Sequence, residues 1–309
     1  MKYILPLLLI SLIVQSCFNS KQDDKRQKSS EPYVKPFEGI QLRVTEELKK
    51  IYESDMYVGG DYHPDATVRI FLEGAILRSK NGFDQDTLAV LKRNTKVTMI
   101  ESAGQDSLNG LISNWHKVAV NEQTGYLWGP DIAIVSLDLT SEDTSYSLLY
   151  GLTGIEQNFT HTGEVLLVKG DSIIQRLDVK PIEMVEGINT VYGYDVNGII
   201  YENPGFTGVK NLVGLHGSYG ACGYDGGYVA MLWDGNKLHK GPAILGMGDA
   251  DVSYKAPYAY YPKDSSGLKD KLVLKVLYGE AKENSSDYEE EVETFVYKWI
   301  PGVGLKEEK

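Results

Sequence analysis

The sequence predicts an all-β fold: a small barrel, then a repeat β-sheet domain, with one short helix near the N-terminus. Three observations lead there. The 309-residue chain holds 32 glycines and 21 tyrosines, a composition suited to many short strands joined by tight turns. Runs rich in Val, Ile, Leu and Tyr alternate with turns containing Gly, Asn, Asp or Pro, as at 67–72, 96–100, 116–120, 165–168, 228–233, 272–277 and 292–299. A strand–turn–strand pattern then recurs at nearly constant spacing through the second half.

The first seventeen residues, MKYILPLLLISLIVQSC, are of another kind. Lys2 gives a positive start, and residues 4–14 form an apolar run broken only by Pro6 and Ser11. Such a run falls short of the roughly 20 residues that span a bilayer and has the length of a secretory signal core. Val14-Gln15-Ser16-Cys17 resembles a bacterial lipobox. That resemblance implies a lipoprotein signal peptide over 1–16 and acylation of Cys17. Each buried CH₂ contributes about 0.8 kcal/mol, so two or three acyl chains hold a protein at a membrane where one holds it marginally. A secreted protein cleaved elsewhere is the other reading.

Residues 17–32 are polar, aperiodic and without a large apolar residue after Phe18, which makes them a flexible tether. The Asp23-Asp24 pair resembles surface-export signals of some bacterial lipoproteins. The expected location is the bacterial cell envelope, lipid-anchored at the outer membrane, with the periplasmic face and the cell surface both open. A helical or irregular lead-in follows over 33–64. Its best helix is VTEELKKIYES (44–54), with Val44, Leu48 and Ile51 on one side and Glu and Lys opposite.

Residues 65–135 make the barrel. Val97 and Met99 alternate with polar residues, and Trp115, Lys117 and Ala119 alternate with His116, Val118 and Val120. Strands this short bury little alone and need closure. Four stretches in order, GAILRS (74–79), LKRNTKVTMI (91–100), WHKVAV (115–120) and TGYLWGPDI (124–132), resemble a bacterial SH3 (SH3b) domain. Asn94 stands where that family usually has glycine, a position where Asn tolerates left-handed backbone. Asn81-Gly82 replaces a Gly-Pro turn, and 105–114 lengthens a loop. The resemblance implies ligand contacts at Arg78, Trp115, Tyr126 and Trp128, with core packing as the ordinary role of the two tryptophans.

Residues 136–309 repeat. EVLLVKGDSII (164–174), YVAMLWDGNKL (228–238) and TFVYKWIPGVGL (294–305) each run strand, turn, strand. Their turn glycines, Gly170, Gly235 and Gly302, lie sixty-five and sixty-seven residues apart. Another strand precedes each hairpin, at 147–153, 209–215 and 271–277. The middle hairpin resembles those of propeller-like extracellular proteins. Three units are fewer than the usual four blades, so a partial propeller and a sandwich both stay open.

Composition narrows the chemistry. A formal charge of −12 opposes nucleic-acid phosphates, so nucleic acid is not an expected partner. Only two cysteines exist, Cys17 and Cys222, which leaves no disulfide framework. The segment LHGSYGACGYDGG (215–227) puts His216 and Cys222 close in sequence, so a thiolate hydrolase is one reading. Tight turns around a buried thiol are the other. Gly248-Asp249-Ala250-Asp251 lacks the continuation of a calcium loop, and the histidines at 63, 116, 161, 216 and 239 show no zinc spacing. No metal or other cofactor is expected. Tyr254, Tyr258, Tyr260 and Tyr261 crowd one stretch and suit either surface packing or contact with sugars or peptides. The acidic run 286–293 reads as a solvated loop entering the last strand.

Together these features point to a non-enzymatic envelope lipoprotein. By the resemblance, it binds a cell-wall peptide or an envelope protein through the SH3b-like domain. A cell-wall or surface hydrolase using Cys222 and a carbohydrate-binding surface protein are the alternatives.

Overall fold

A computed structural model of the chain describes residues 56–57, 62–108, 111–155, 161–180, 194–219, 223, 226–249, 252–282 and 288–308. The signal peptide, Cys17, the tether, the helix at 44–54 and Cys222 lie outside them. The described part is all-β and, apart from one 3-10 turn, contains no helix.

Seven strands form a curled first sheet: β1 (Met56–Tyr57), β2 (Thr67–Arg69), β3 (Ala75–Arg78), β4 (Thr87–Leu91), β5 (Lys96–Leu108), β6 (Leu111–Val120) and β7 (Gln123–Trp128). Their order is β2-β5-β6-β7-β3-β4, with β1 parallel to β6. Val68, Ile70, Leu77, Val97, Met99, Val118 and Leu127 fill the concave side. The alternation in β5 therefore has the expected result, with Val97 and Met99 inward. Asn94 in the β4–β5 turn has φ 66°, the left-handed conformation its side chain tolerates. A 3-10 turn, Gly129–Asp131, leads out of the sheet.

The rest of the chain runs as three antiparallel four-stranded meanders. The first comprises β8 (Val135–Ser141), β9 (Thr144–Ile155), β10 (His161–Lys169) and β11 (Ser172–Asp178). The second comprises β12 (Tyr194–Glu202), β13 (Asn211–Tyr219), β14 (Gly226–Trp233) and β15 (Leu238–Asp249). The third comprises β16 (Ser253–Tyr260), β17 (Lys271–Ala281), β18 (Tyr288–Ile300) and β19 (Gly304–Glu308). Each closing hairpin turns at a repeat glycine, with φ of 62° at Gly170, 102° at Gly235 and 75° at Gly302. A residue with a Cβ adopts such values only at a cost.

The meanders stack face to face. Val213, Leu215, Val229 and Met231 of the second pack against Leu148, Tyr150, Val165 and Leu167 of the first. From its other face, Leu212, Ala230 and Leu232 meet Leu272, Leu274, Val276 and Trp299 of the third. β15 and β16 pair over only three positions, Met247↔Lys255, Gly248↔Tyr254 and Asp249↔Ser253. The eight-stranded sheet β12–β19 folds there, and its halves enclose one core. A fourth cluster, Phe71, Ala133, Leu149, Leu166 and Val168, joins the first sheet to the first meander. Arg69 Nη2 donates to Asp138 Oδ1 at 2.6 Å across the same junction.

One expectation fails here. From Tyr288 onward, the acidic run is not a loop but the first half of β18, paired residue by residue with β17 from Ala281 to Val276. Strand pairing holds the backbone while the carboxylates of Glu289, Glu290, Glu291 and Glu293 stay exposed, so charge and strand are compatible.

Candidate functional site

β-Strand alternation puts residues i and i+2 on one face, and register extends that face across neighbouring strands. Trp115 of β6 pairs with Trp128 of β7, Lys117 pairs with Tyr126, and Tyr126 pairs with Arg78 of β3. Arg78, Trp115, Tyr126 and Trp128, widely separated in sequence, therefore share the convex face of β3–β7–β6. Leu77, Gly125 and Leu127 point the other way, where a Cβ on Gly125 would lie 2.7 Å from the Leu77 side chain.

The two tryptophans are on this outer face and still buried, at 2% and 1% exposure. Their rings meet at 5.3 Å, and Phe83 covers both, its centroid 4.9 Å from each. Phe83 belongs to the segment 79–86 between β3 and β4, which folds back over the face. Ser79 N–H bonds to Asp86 O at 2.9 Å, Arg78 Nη1 donates to Gln85 O at 2.8 Å, and Asn81 Nδ2 donates to Ala103 O at 2.7 Å. The tryptophans thus act as packing elements, while Arg78 and Tyr126 stay half-buried at the surface.

Polar groups lie beneath and beside these rings. Trp115 Nε1 points to Asp106 Oδ2 at 3.4 Å. Ser113 Oγ, Trp128 Nε1 and Asp131 Oδ1 are buried with no hydrogen-bond partner among the described residues. Ser113 and Gly129 touch so closely that a Cβ on Gly129 would collide with the serine hydroxyl. Burial pushes the Asp131 carboxyl up to about 7, against the pull of the Arg78 guanidinium. Burial also draws Arg78 below its usual value, opposed by Asp131 and Asp84. Lys117 is raised, mainly by its hydrogen bond to Glu101 at 3.1 Å, so it stays a cation.

The face is therefore a row, Arg78–Tyr126–Lys117, beside a capped aromatic cluster. Two cations at the surface of an otherwise acidic protein suit a carboxylate, which a guanidinium binds by charge-assisted hydrogen bonds. Phe83, Ser113, Lys117 and Asp131 were not singled out from the sequence. Phe83 carries no signal there, as a lone phenylalanine in a polar, Gly-containing turn four residues after Ser79. Asp131 has one, the Gly-Pro-Asp that follows a strand tryptophan.

His216 lies elsewhere, on β13, opposite Asn197 and Tyr228. Its Nε2 is 3.0 Å from Tyr201 Oη, and its ring stacks on Tyr228 at 4.8 Å. Tyr228 Oη in turn meets Tyr261 Oη at 3.1 Å. Gly214 makes room for the pair, since a Cβ there would lie 2.7 Å from His216 Nε2 and 3.1 Å from the Tyr201 ring. Burial pushes His216 down and Tyr201 up, which leaves both neutral near pH 7. The imidazole is engaged with a phenol, and its relation to Cys222 falls outside the described residues. Among the described residues no group of three His, Cys, Asp or Glu side chains is arranged to hold a metal. No family model, curated protein or solved structure matches the chain.

Proposed function

We propose that this chain is a lipid-anchored protein of the bacterial envelope that binds a carboxylate-bearing peptide on the convex face of β3–β7–β6. The observation that carries the reading is the convergence of Arg78, Tyr126 and Lys117 into one surface row. Beside that row, Phe83 caps Trp115 and Trp128. A cell-wall stem peptide or a protein tail offers the matching chemistry, carboxylates for the cations and aliphatic carbon for the Tyr126 ring. The lipobox-like segment ending at Cys17 supports attachment at a membrane, where such ligands are found. The binding itself asks for no covalent step.

Titration of the full chain, in detergent, with soluble peptidoglycan fragments tests this. Arg78→Ala should weaken binding about tenfold, the scale of one charge-assisted hydrogen bond. Lys117→Ala should weaken it less, because Glu101 already engages that ammonium. Unchanged affinity in both variants, or no binding by a folded wild type, would sink the reading. Palmitate labelling that is lost in Cys17→Ala tests the anchor separately.

A further inference from the structure

The third meander ends the stack, and one of its faces meets no other layer among the described residues. Register assigns Tyr254, Ala256, Tyr258 and Tyr260 of β16 to that face. Gly279, Leu277, Lys275 and Val273 of β17 lie across from them, and Glu290, Val292, Thr294 and Val296 of β18 follow. The opposite face carries Leu272, Leu274, Val276, Phe295 and Tyr297 into the core shared with the second meander.

The outer face is not a plain apolar patch. Tyr254 lies on the backbone of Gly279, where any Cβ would collide with its ring, so the ring rests on the strand. Its hydroxyl donates to Glu290, and Tyr288 packs edge-on at 5.1 Å. Four residues on, about 13 Å along the strand, Tyr258 is 48% exposed. Val292 across the sheet is 58% exposed. Lys275 and Thr294, which carry hydrogen-bond donors, continue the Tyr258 row across the sheet, and the Glu290 carboxylate continues the Tyr254 row. Lys275 Nζ also sits 5.7 Å over the Tyr260 ring.

We infer that this face is a glycan-binding platform, on which Tyr254 and Tyr258 stack against sugar rings and Glu290 and Lys275 engage their hydroxyls. Flat aromatic surface interleaved with donors and acceptors fits a ligand that is itself apolar on its ring faces and polar at its rim. A protein partner held by hydrophobic burial would need a wide apolar area, whereas the apolar row Ala256–Leu277–Val292 is one residue wide along each strand, flanked by Lys275 and Thr294 on one side and Glu290 on the other. The glycan is uncharged, because a chain of net charge −12 repels polyanions. This site is separate from the convex face of β3–β7–β6 and stands or falls independently of it.

Affinity electrophoresis of the full chain in detergent tests it, with hydroxyethylcellulose, laminarin, mannan or alginate cast in the gel. Retardation is expected in at least one of the three neutral polymers and not in alginate. Tyr258→Ala, at a half-exposed position, should weaken it at least fivefold while leaving the unfolding midpoint in place. Glu290→Gln should weaken it about threefold. Equal mobility in all gels, retardation only in alginate, or retardation unchanged in both variants would overturn the inference. A dimer in light scattering that dissociates in Tyr258→Ala would also overturn it, assigning the face to a second copy.

Discussion

The ring of Phe71 occupies the space that a side chain on Gly151 would fill: a Cβ there would come within 2.5–2.7 Å of three ring carbons. Phe71 leaves the first sheet just after β2, and Gly151 lies in β9 opposite Glu164. Their contact is central to the cluster that fastens the first sheet to the first meander. Gly151→Ala should therefore cost about 1–3 kcal/mol by overpacking, and Phe71→Ala about 3–5 kcal/mol by leaving a cavity. The double variant should be less destabilised than the sum, because the added methyl partly fills the space left by the ring. Urea unfolding of all four proteins measures this, and strict additivity would refute the coupling.

Asp131 gives the fold a pH dependence of known sign. Its carboxyl titrates near 3.8 when unfolded and about 7 when folded. Below pH 4 both states hold the proton and the group is neutral to stability. Between pH 4 and 7 the unfolded chain ionises first, so stability falls through that window and levels off above it. Three pKa units correspond to a loss on the order of 4 kcal/mol. Asp131→Asn should match the wild type at pH 4 and exceed it at pH 8. Denaturant midpoints of the two proteins at one-unit intervals test this, and parallel pH profiles would count against the buried acid.

Local features were legible in the sequence where local physics decides them. The turn glycines at 170, 235 and 302 mark the three closing hairpins because the turns require positive φ. Alternation in residues 96–100 places Val97 and Met99 because the strand period is two. Arg78, Trp115, Tyr126 and Trp128 could be named from motif order, but their common face is a matter of register between distant strands. Phe83 was invisible, since a phenylalanine in a polar turn carries no periodicity and its partners lie 32 and 45 positions away. The acidic start of β18 misled for the opposite reason. Composition suggested a loop, whereas backbone pairing with β17 fixes the strand and leaves the charges exposed.

The turn at Gly235 is fixed by one carboxylate used twice. Asp234 Oδ1 accepts from the backbone N–H of Asn236 at 2.9 Å and of Lys237 at 2.8 Å, while Oδ2 meets His239 Nε2 at 2.8 Å. His239 packs edge-on against Trp299 at 5.1 Å, tying the second hairpin to the third meander. Desolvation works to raise Asp234, but these hydrogen bonds outweigh it and hold the carboxyl below its usual range. Its contribution is thus complete above the unfolded value and lost as pH falls through the lower folded value. Asp234→Asn keeps an acceptor for the two backbone donors and should cost about 1 kcal/mol. Asp234→Ala loses all three bonds and should cost about 2–3 kcal/mol. Thermal unfolding at pH 7 ranks the two, and equal losses would show that the turn does not depend on this acceptor.

Phe83 decides whether the aromatic cluster on the convex face is covered or open. All four tryptophans, Trp115, Trp128, Trp233 and Trp299, are buried at 2% exposure or less, so native emission should be strongly blue-shifted. Phe83→Ala removes the ring over Trp115 and Trp128 and leaves Trp233 and Trp299 in the cores of the stacked meanders. Emission should then shift to the red by several nanometres, and acrylamide should quench part of the signal while the remainder stays protected. Adding Trp128→Phe to that variant should remove much of the quenchable fraction. Leu127 and Val118 fill the concave core without Phe83, so the sheet itself should stay folded at a cost of about 1–3 kcal/mol. If quenching is unchanged in Phe83→Ala, the segment 79–86 does not cap the tryptophans. If it rises and peptidoglycan-fragment affinity changes with it, the ring cap also governs access to the ligand face beside Arg78.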